Sequence, residues 1–220
     1  MTAHTSWTDL VNLITREMSR IPVPALAALA SLAAVSEGLS YAMRSSGSDP
    51  LLIAAAVIVI ISGVGVSYLA SMTMVDAPRS LKGFGAYAGI AVLVALPAAA
   101  GLALLLLSNA AGIPLLVPLG LLMALVGLIA APILCAWPIL QAVSPRFIGP
   151  REAFRRTSGI RWALLLAAFA LGAISRLDFP VPPGEFTAIT AGSMALNALI
   201  GVISTIVAIA TSVAAFKRMN

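Results

Sequence analysis

Long apolar runs separated by short polar ones set the first reading of this chain. A transmembrane helix needs about 20 mostly apolar residues. Six stretches are read as such spans, over residues 23–43, 51–72, 84–108, 113–140, 160–175 and 191–216. The runs are continuous rather than alternating, which predicts helices and excludes a barrel of short two-faced strands. The predicted fold is all-α: a polytopic membrane protein, built as a six-transmembrane-helix bundle.

Residues 1–22 have a different pattern. Trp7, Leu10, Val11, Ile14, Met18 and Ile21 recur at steps of three and four, and Thr8, Asp9, Asn12, Thr15, Arg16, Glu17, Ser19 and Arg20 are assigned to the other face. Ser6 with Asp9 resembles a capping pair, and Pro22 marks an exit. The spacing predicts an amphipathic interfacial helix with its apolar side toward the membrane and Trp7 as an anchor. An ordinary lead-in helix packed on the bundle is the favoured role for it, and a docking site for a partner is the alternative. The apolar run from Val23 is too long for the core of a cleavable leader, so this segment is expected to be retained.

Composition turns the pattern into an exclusion. The 220 residues are 60% hydrophobic and 10% charged, with a mean hydropathy of +1.05. Soluble domains run near 45–50% apolar and about 25% charged, so a soluble globule is excluded, and so is disorder. The cations are unevenly placed. Eleven of the Lys and Arg residues fall on one side of the predicted bundle: Arg16, Arg20, Arg79, Lys82, the 146–161 arginines, Lys217 and Arg218. Only Arg44 and Arg176 fall on the other. The positive-inside rule then places both termini in the cytoplasm, with residues 217–220 as a basic tail. Abundant Ala, Leu and Gly suggests a bacterial inner membrane.

Little catalytic chemistry remains. A single Cys135 excludes an internal disulfide, and a single His4 excludes a multi-imidazole metal site. Nucleophile elbows, phosphate-binding loops and zinc motifs are absent, so no cofactor or metal is expected, and neither is catalysis. The cations flank spans without interleaved aromatics, so nucleic acid is not an expected partner. One carboxylate, Glu37, falls within a predicted span seven residues before Arg44. It is read mainly as interfacial, with a packed polar contact or a proton or ion site as the alternatives, an intramembrane ionisable group being a functional candidate by default. Span six carries a stripe of Ser193, Asn197, Gly201, Thr205, Ala208 and Ser212, read mainly as close helix packing. Gly85 and Gly89 form a weak GxxxG in span three.

The loop after span four is the most informative polar stretch. Pro150 suits a first helical turn. Phe147, Ile148, Ala153 and Phe154 are expected to face the membrane, with Arg151, Arg155 and Arg156 toward water or lipid phosphates. Glu152 and Arg156 form an i,i+4 pair. The stretch Gly149-Pro-Arg-Glu-Ala-Phe-Arg-Arg-Thr157, following a span that ends Ala136-Trp-Pro-Ile139, resembles the membrane domain of glycerophosphoryl diester phosphodiesterases and related stand-alone six-span bacterial proteins of unknown function. The resemblance implies the six-span layout, the leading amphipathic segment and the short basic end. It does not imply phosphodiester hydrolysis, which in the larger enzymes belongs to a separate soluble domain that this chain has no room for.

The favoured expectation is a non-enzymatic membrane scaffold or accessory subunit of a larger assembly. Arg151, Arg155, Arg156 and Trp7 would meet anionic headgroups, a membrane protein partner or a second copy. The alternative is a small transporter or channel with Glu37 and Asn197 lining a path.

Overall fold

Proline and glycine punctuate a chain that otherwise propagates helix. The computed structural model describes residues 7–46, 49–175, 177–181 and 186–219, so His4, Ser6 and Arg176 lie outside it. Every regular element among the described residues is a helix: α1 (Trp7–Met18), α2 (Val23–Ser46), α3 (Pro50–Met74), α4 (Leu81–Ala111), α5 (Leu116–Ile133), α6 (Trp137–Val143), α7 (Pro150–Arg156), α8 (Arg161–Ser175) and α9 (Ala188–Met219). Asp49 caps α3 by accepting from the Leu51 N–H at 2.8 Å, with Pro50 in the first turn. Gly112 ends α4 in the left-handed region at φ 66°, where a side chain would be strained.

Among the described residues, five helices are long and apolar enough to cross a membrane, or six if the bent pair α7 and α8 counts as one span. That pair turns through 96°. By itself α8 has 15 residues, about 22 Å of helix against a hydrocarbon core of about 30 Å. The stretch 113–140, read as one span, is two helices. Pro138 has no N–H to offer the Leu134 carbonyl and its ring crowds that carbonyl, so the chain breaks at 134–136 between α5 and α6.

In lipid, apolar area gives little drive between helices, and close approach through small residues takes its place. The α4–α5 hairpin shows this. A Cβ on Gly101 would lie 2.4 Å from the Ala124 backbone N, and one on Gly127 would lie 2.5 Å from the Ala98 N. Gly85 and Gly89 make no such approach: nothing lies within 4 Å of a Cβ at either. The central helix is α9, which packs against α1, α2, α3, α6 and α8. Large side chains on the outer faces, such as Ile58, Ile60, Leu106 and Leu128, are exposed as lipid-facing residues must be.

The apolar face of α1 packs on the bundle rather than lying open. Leu10 and Ile14 are buried against Ile160, Leu164, Ala210 and Ala214. Glu17, assigned by the sequence to the polar face, is 1% exposed. Its carboxylate accepts from Lys217 Nζ of α9 at 2.8 Å and lies 3.5 Å from Arg20. Leu10, Ile14 and Glu17 follow one another at four and three residues, so all three fall on one helical face.

Candidate functional site

Two regions gather the remaining polar chemistry. The first is a cavity of about 500 Å³ among α2, α3, α4 and α9. Glu37, Ser67, Tyr87, Asn197, Gly201 and Thr205 contribute to its wall. At one end a packed core of Tyr68, Met72, Ile139, Ile209 and Val213 closes the bundle beneath it. This is the basic end, where α1, the 75–80 loop, α7 and the C-terminal turn of α9 come together.

Glu37 sits fourteen residues into α2, roughly 21 Å along the helix. It is half-buried and makes no hydrogen bond or ion pair with any other described residue. Arg44, seven residues on, is two turns away. Asn197 is more committed. Its Nδ2 donates to the Phe179 carbonyl at 3.0 Å, and its Oδ1 accepts from the Phe179 N–H at 2.8 Å. The side-chain amide thus ties the segment after α8 onto α9, and an edge-on Tyr41–Phe186 ring contact at 6.0 Å links Phe186 to α2. The structure therefore brings Glu37 and Asn197 to one cavity, with Asn197 also holding the loop.

At Gly201 the α9 stripe, expected to serve close packing, makes no close approach. Gly201 has nothing within 4 Å of a Cβ, and it lines the cavity with Asn197 and Thr205. The Thr205 hydroxyl donates to the Gly201 carbonyl and the Ser212 hydroxyl to the Ala208 carbonyl, which satisfies both within the helix. The stripe leaves space at Gly201, where α9 has no side chain to fill it.

The second region is α7 at the basic end. Trp137 Nε1 donates to the Ile148 carbonyl at 2.8 Å. Gln141 accepts from the Ile148 N–H at 2.7 Å and donates to the Arg146 carbonyl at 3.0 Å. Ile148 and Ala153, expected to face the membrane, are instead buried with Ile90, Trp137 and Leu140, because this clamp draws the loop inward. Phe147 and Phe154 remain exposed. Sequence reasoning missed Gln141, although a lone amide one turn beyond Trp137 in an apolar run was the available signal.

Glu152 is the hub of the cations. It accepts from Arg156 at 2.7 Å and Arg146 at 3.2 Å. The hydrogen bond from Arg156, with the nearby charges of Arg146, Arg156 and Arg155, lowers its carboxyl below the ordinary value of 4.5. Arg161 stacks over the Phe154 ring at 3.6 Å and donates to the Phe154 carbonyl. Arg156 is thus neutralised by Glu152, whereas Arg151 and Arg155 are exposed and make no ion pair among the described residues. Trp7, at the start of α1, is 40% exposed. These residues are not one constellation: Trp7 lies at the start of α1 and the arginines on the α7 surface.

Among the described residues no cluster of His, Cys, Asp and Glu could hold a metal ion. No family model, curated protein or solved structure matches the chain. The resemblance carried by residues 136–139 and 149–157 therefore rests on the sequence alone.

Proposed function

We propose that this multi-pass membrane protein is non-enzymatic and takes a small cationic or hydrogen-bonding solute into the cavity among α2, α3, α4 and α9. One observation carries the reading. Glu37 is a carboxylate without a hydrogen-bond or ion-pair partner among the described residues, on the wall of a cavity of about 500 Å³ that also presents Asn197. Pockets of about 300–1,000 Å³ with a few convergent polar groups are the usual form of small-molecule sites. A carboxylate in that setting favours a cation, and Ser67, Tyr87 and Thr205 add hydroxyls. The excess of cations at the basic end supports an orientation with that end and both termini cytoplasmic, and the Ala- and Leu-rich composition supports a bacterial inner membrane. The cavity would then open away from the cytoplasm.

The test is uptake of small inorganic and organic cations by proteoliposomes. Wild type is expected to transport or bind at least one, Glu37→Asp to retain part, and Glu37→Gln to lose it. Equal behaviour of wild type and Glu37→Gln across the panel would sink the reading.

A second reading, a scaffold or accessory subunit, is supported by exposed Arg151 and Arg155 on α7. Each contributes about 1 kcal/mol near an anionic surface. Stable co-purification of an identified membrane protein without solute binding, lost on charge reversal at both arginines, would favour it.

A further inference from the structure

We propose that Arg79 holds the headgroup of an anionic phospholipid whose two acyl chains lie in apolar grooves on either side of α3. Arg79 stands in the 75–80 loop at the basic end, between the end of α3 and the start of α4. It borders two separate grooves. One, of about 260 Å³, runs between α2 and α3 and is lined by Pro24, Ala28, Val66 and Thr73. The other, of about 370 Å³, runs between α3 and α4 and is lined by Gly65, Tyr68, Leu81 and Phe84. Leu69 and Arg79 belong to both, so the side chain of Leu69 is the ridge between them and Arg79 stands at their common head.

The shape matches a two-chain lipid better than a soluble ligand. From Met74 at the end of α3 to Gly65 is nine residues, so the grooves reach about 13 Å into the hydrocarbon layer. Their walls are almost wholly apolar, and the charge lies only at the mouth. The loop is fixed in place. The Tyr68 hydroxyl donates to the Ser80 carbonyl and accepts from the Ser80 N–H, both at 3.0 Å. Arg79 itself donates one bond, to Thr73 Oγ1 at 2.8 Å, and its remaining guanidinium N–H groups point to no described acceptor. Asp76, in the same loop, makes no ion pair with it. Lys82, exposed at the start of α4, adds a second positive charge nearby. A guanidinium on a fixed loop suits a phosphate diester, and the bilayer supplies that anion already joined to two acyl chains.

The experiment is native mass spectrometry of the full chain, extracted in mild detergent from vesicles of equal parts phosphatidylglycerol and phosphatidylcholine. Wild type is expected to retain phosphatidylglycerol preferentially. Arg79→Gln is expected to lower that preference about fivefold, the equivalent of one basic residue at an anionic surface. Gly65→Leu and Ala28→Phe narrow one groove each. Nothing lies within 4 Å of a Cβ at Gly65, so Gly65→Leu should fold, and both variants are expected to lower lipid retention while Arg79 is intact. Equal retention of the two lipids would overturn the proposal, as would unchanged preference in folded Arg79→Gln. Retention insensitive to both groove variants would overturn the two-groove seat. Equal thermal stabilisation by inorganic phosphate and by phosphatidylglycerol would show that Arg79 reads a soluble anion instead.

Discussion

Removing the ammonium of Lys217 should release α1 from the bundle. Glu17 has a side chain only 2% exposed, and Lys217 Nζ at 2.8 Å is its close partner. The other cation, Arg20, is 3.5 Å away and its side chain is 47% exposed. Breaking one side of a fully buried ion pair costs about 3–5 kcal/mol. Lys217 keeps 28% exposure, so solvent already screens part of the interaction, and about 2–3 kcal/mol is the expected penalty for Lys217→Met. At about 1.4 kcal/mol per decade, that raises the open fraction of α1 about 30- to 150-fold. Hydrogen exchange of the α1 amides in detergent reads this directly, since local opening sets exchange. Glu17→Met with Lys217→Met together should restore most of the protection, because two apolar side chains leave no charge stranded among Leu10, Ile14 and Ala214. Exchange in Lys217→Met within about threefold of wild type, or a double variant as open as the single ones combined, would show that apolar packing alone holds α1.

Three further outcomes follow from the packing and the loop clamp. Gly127→Val and Gly101→Leu should force α4 and α5 apart, since the obstructing atoms are backbone; overpacking costs about 1–3 kcal/mol or more, read as a lower thermal midpoint and lost monodispersity, while Gly85→Ala and Gly89→Ala behave as wild type. Gln141→Ala leaves the Ile148 N–H and Arg146 carbonyl without their partner, so the 144–149 segment should become a protease site and lose about 1–3 kcal/mol. Glu152 has a lowered carboxyl pKa, so its ion pairs contribute stability that is complete above the ordinary carboxylate value and is lost only as pH falls through the lowered one. Trp137 fluorescence, which senses this loop, should therefore stay constant from neutral pH to about 4.5 and change below it; a transition near neutrality would contradict the Glu152–Arg146–Arg156 arrangement.

How much of this was legible in the sequence depends on the range of the interaction. The all-α membrane architecture follows from local composition: a run of apolar residues in a nearly uncharged chain satisfies its backbone only as helix, whatever it packs against. The i,i+4 pairing of Glu152 with Arg156 is equally local and was readable. The break at 134–136 was half readable, because Pro132 and Pro138 signal a kink and do not say whether the helix ends.

What the sequence could not determine is which faces meet. Glu17 is polar in any listing by residue type, and only the approach of Lys217, two hundred residues away, makes its burial tolerable. The glycines that matter are Gly101, Gly120 and Gly127 rather than the GxxxG pair, because close approach depends on the partner helix and not on spacing alone. Glu37 and Asn197 share a cavity because α2 and α9 lie side by side while α9 carries small residues at that level. Hydrophobicity along the chain decides what enters the membrane, since transfer from water is additive over short segments. Inside the membrane that force is spent, and steric fit and electrostatic pairing between distant segments, which are properties of the folded bundle alone, decide where a cavity and a charge end up.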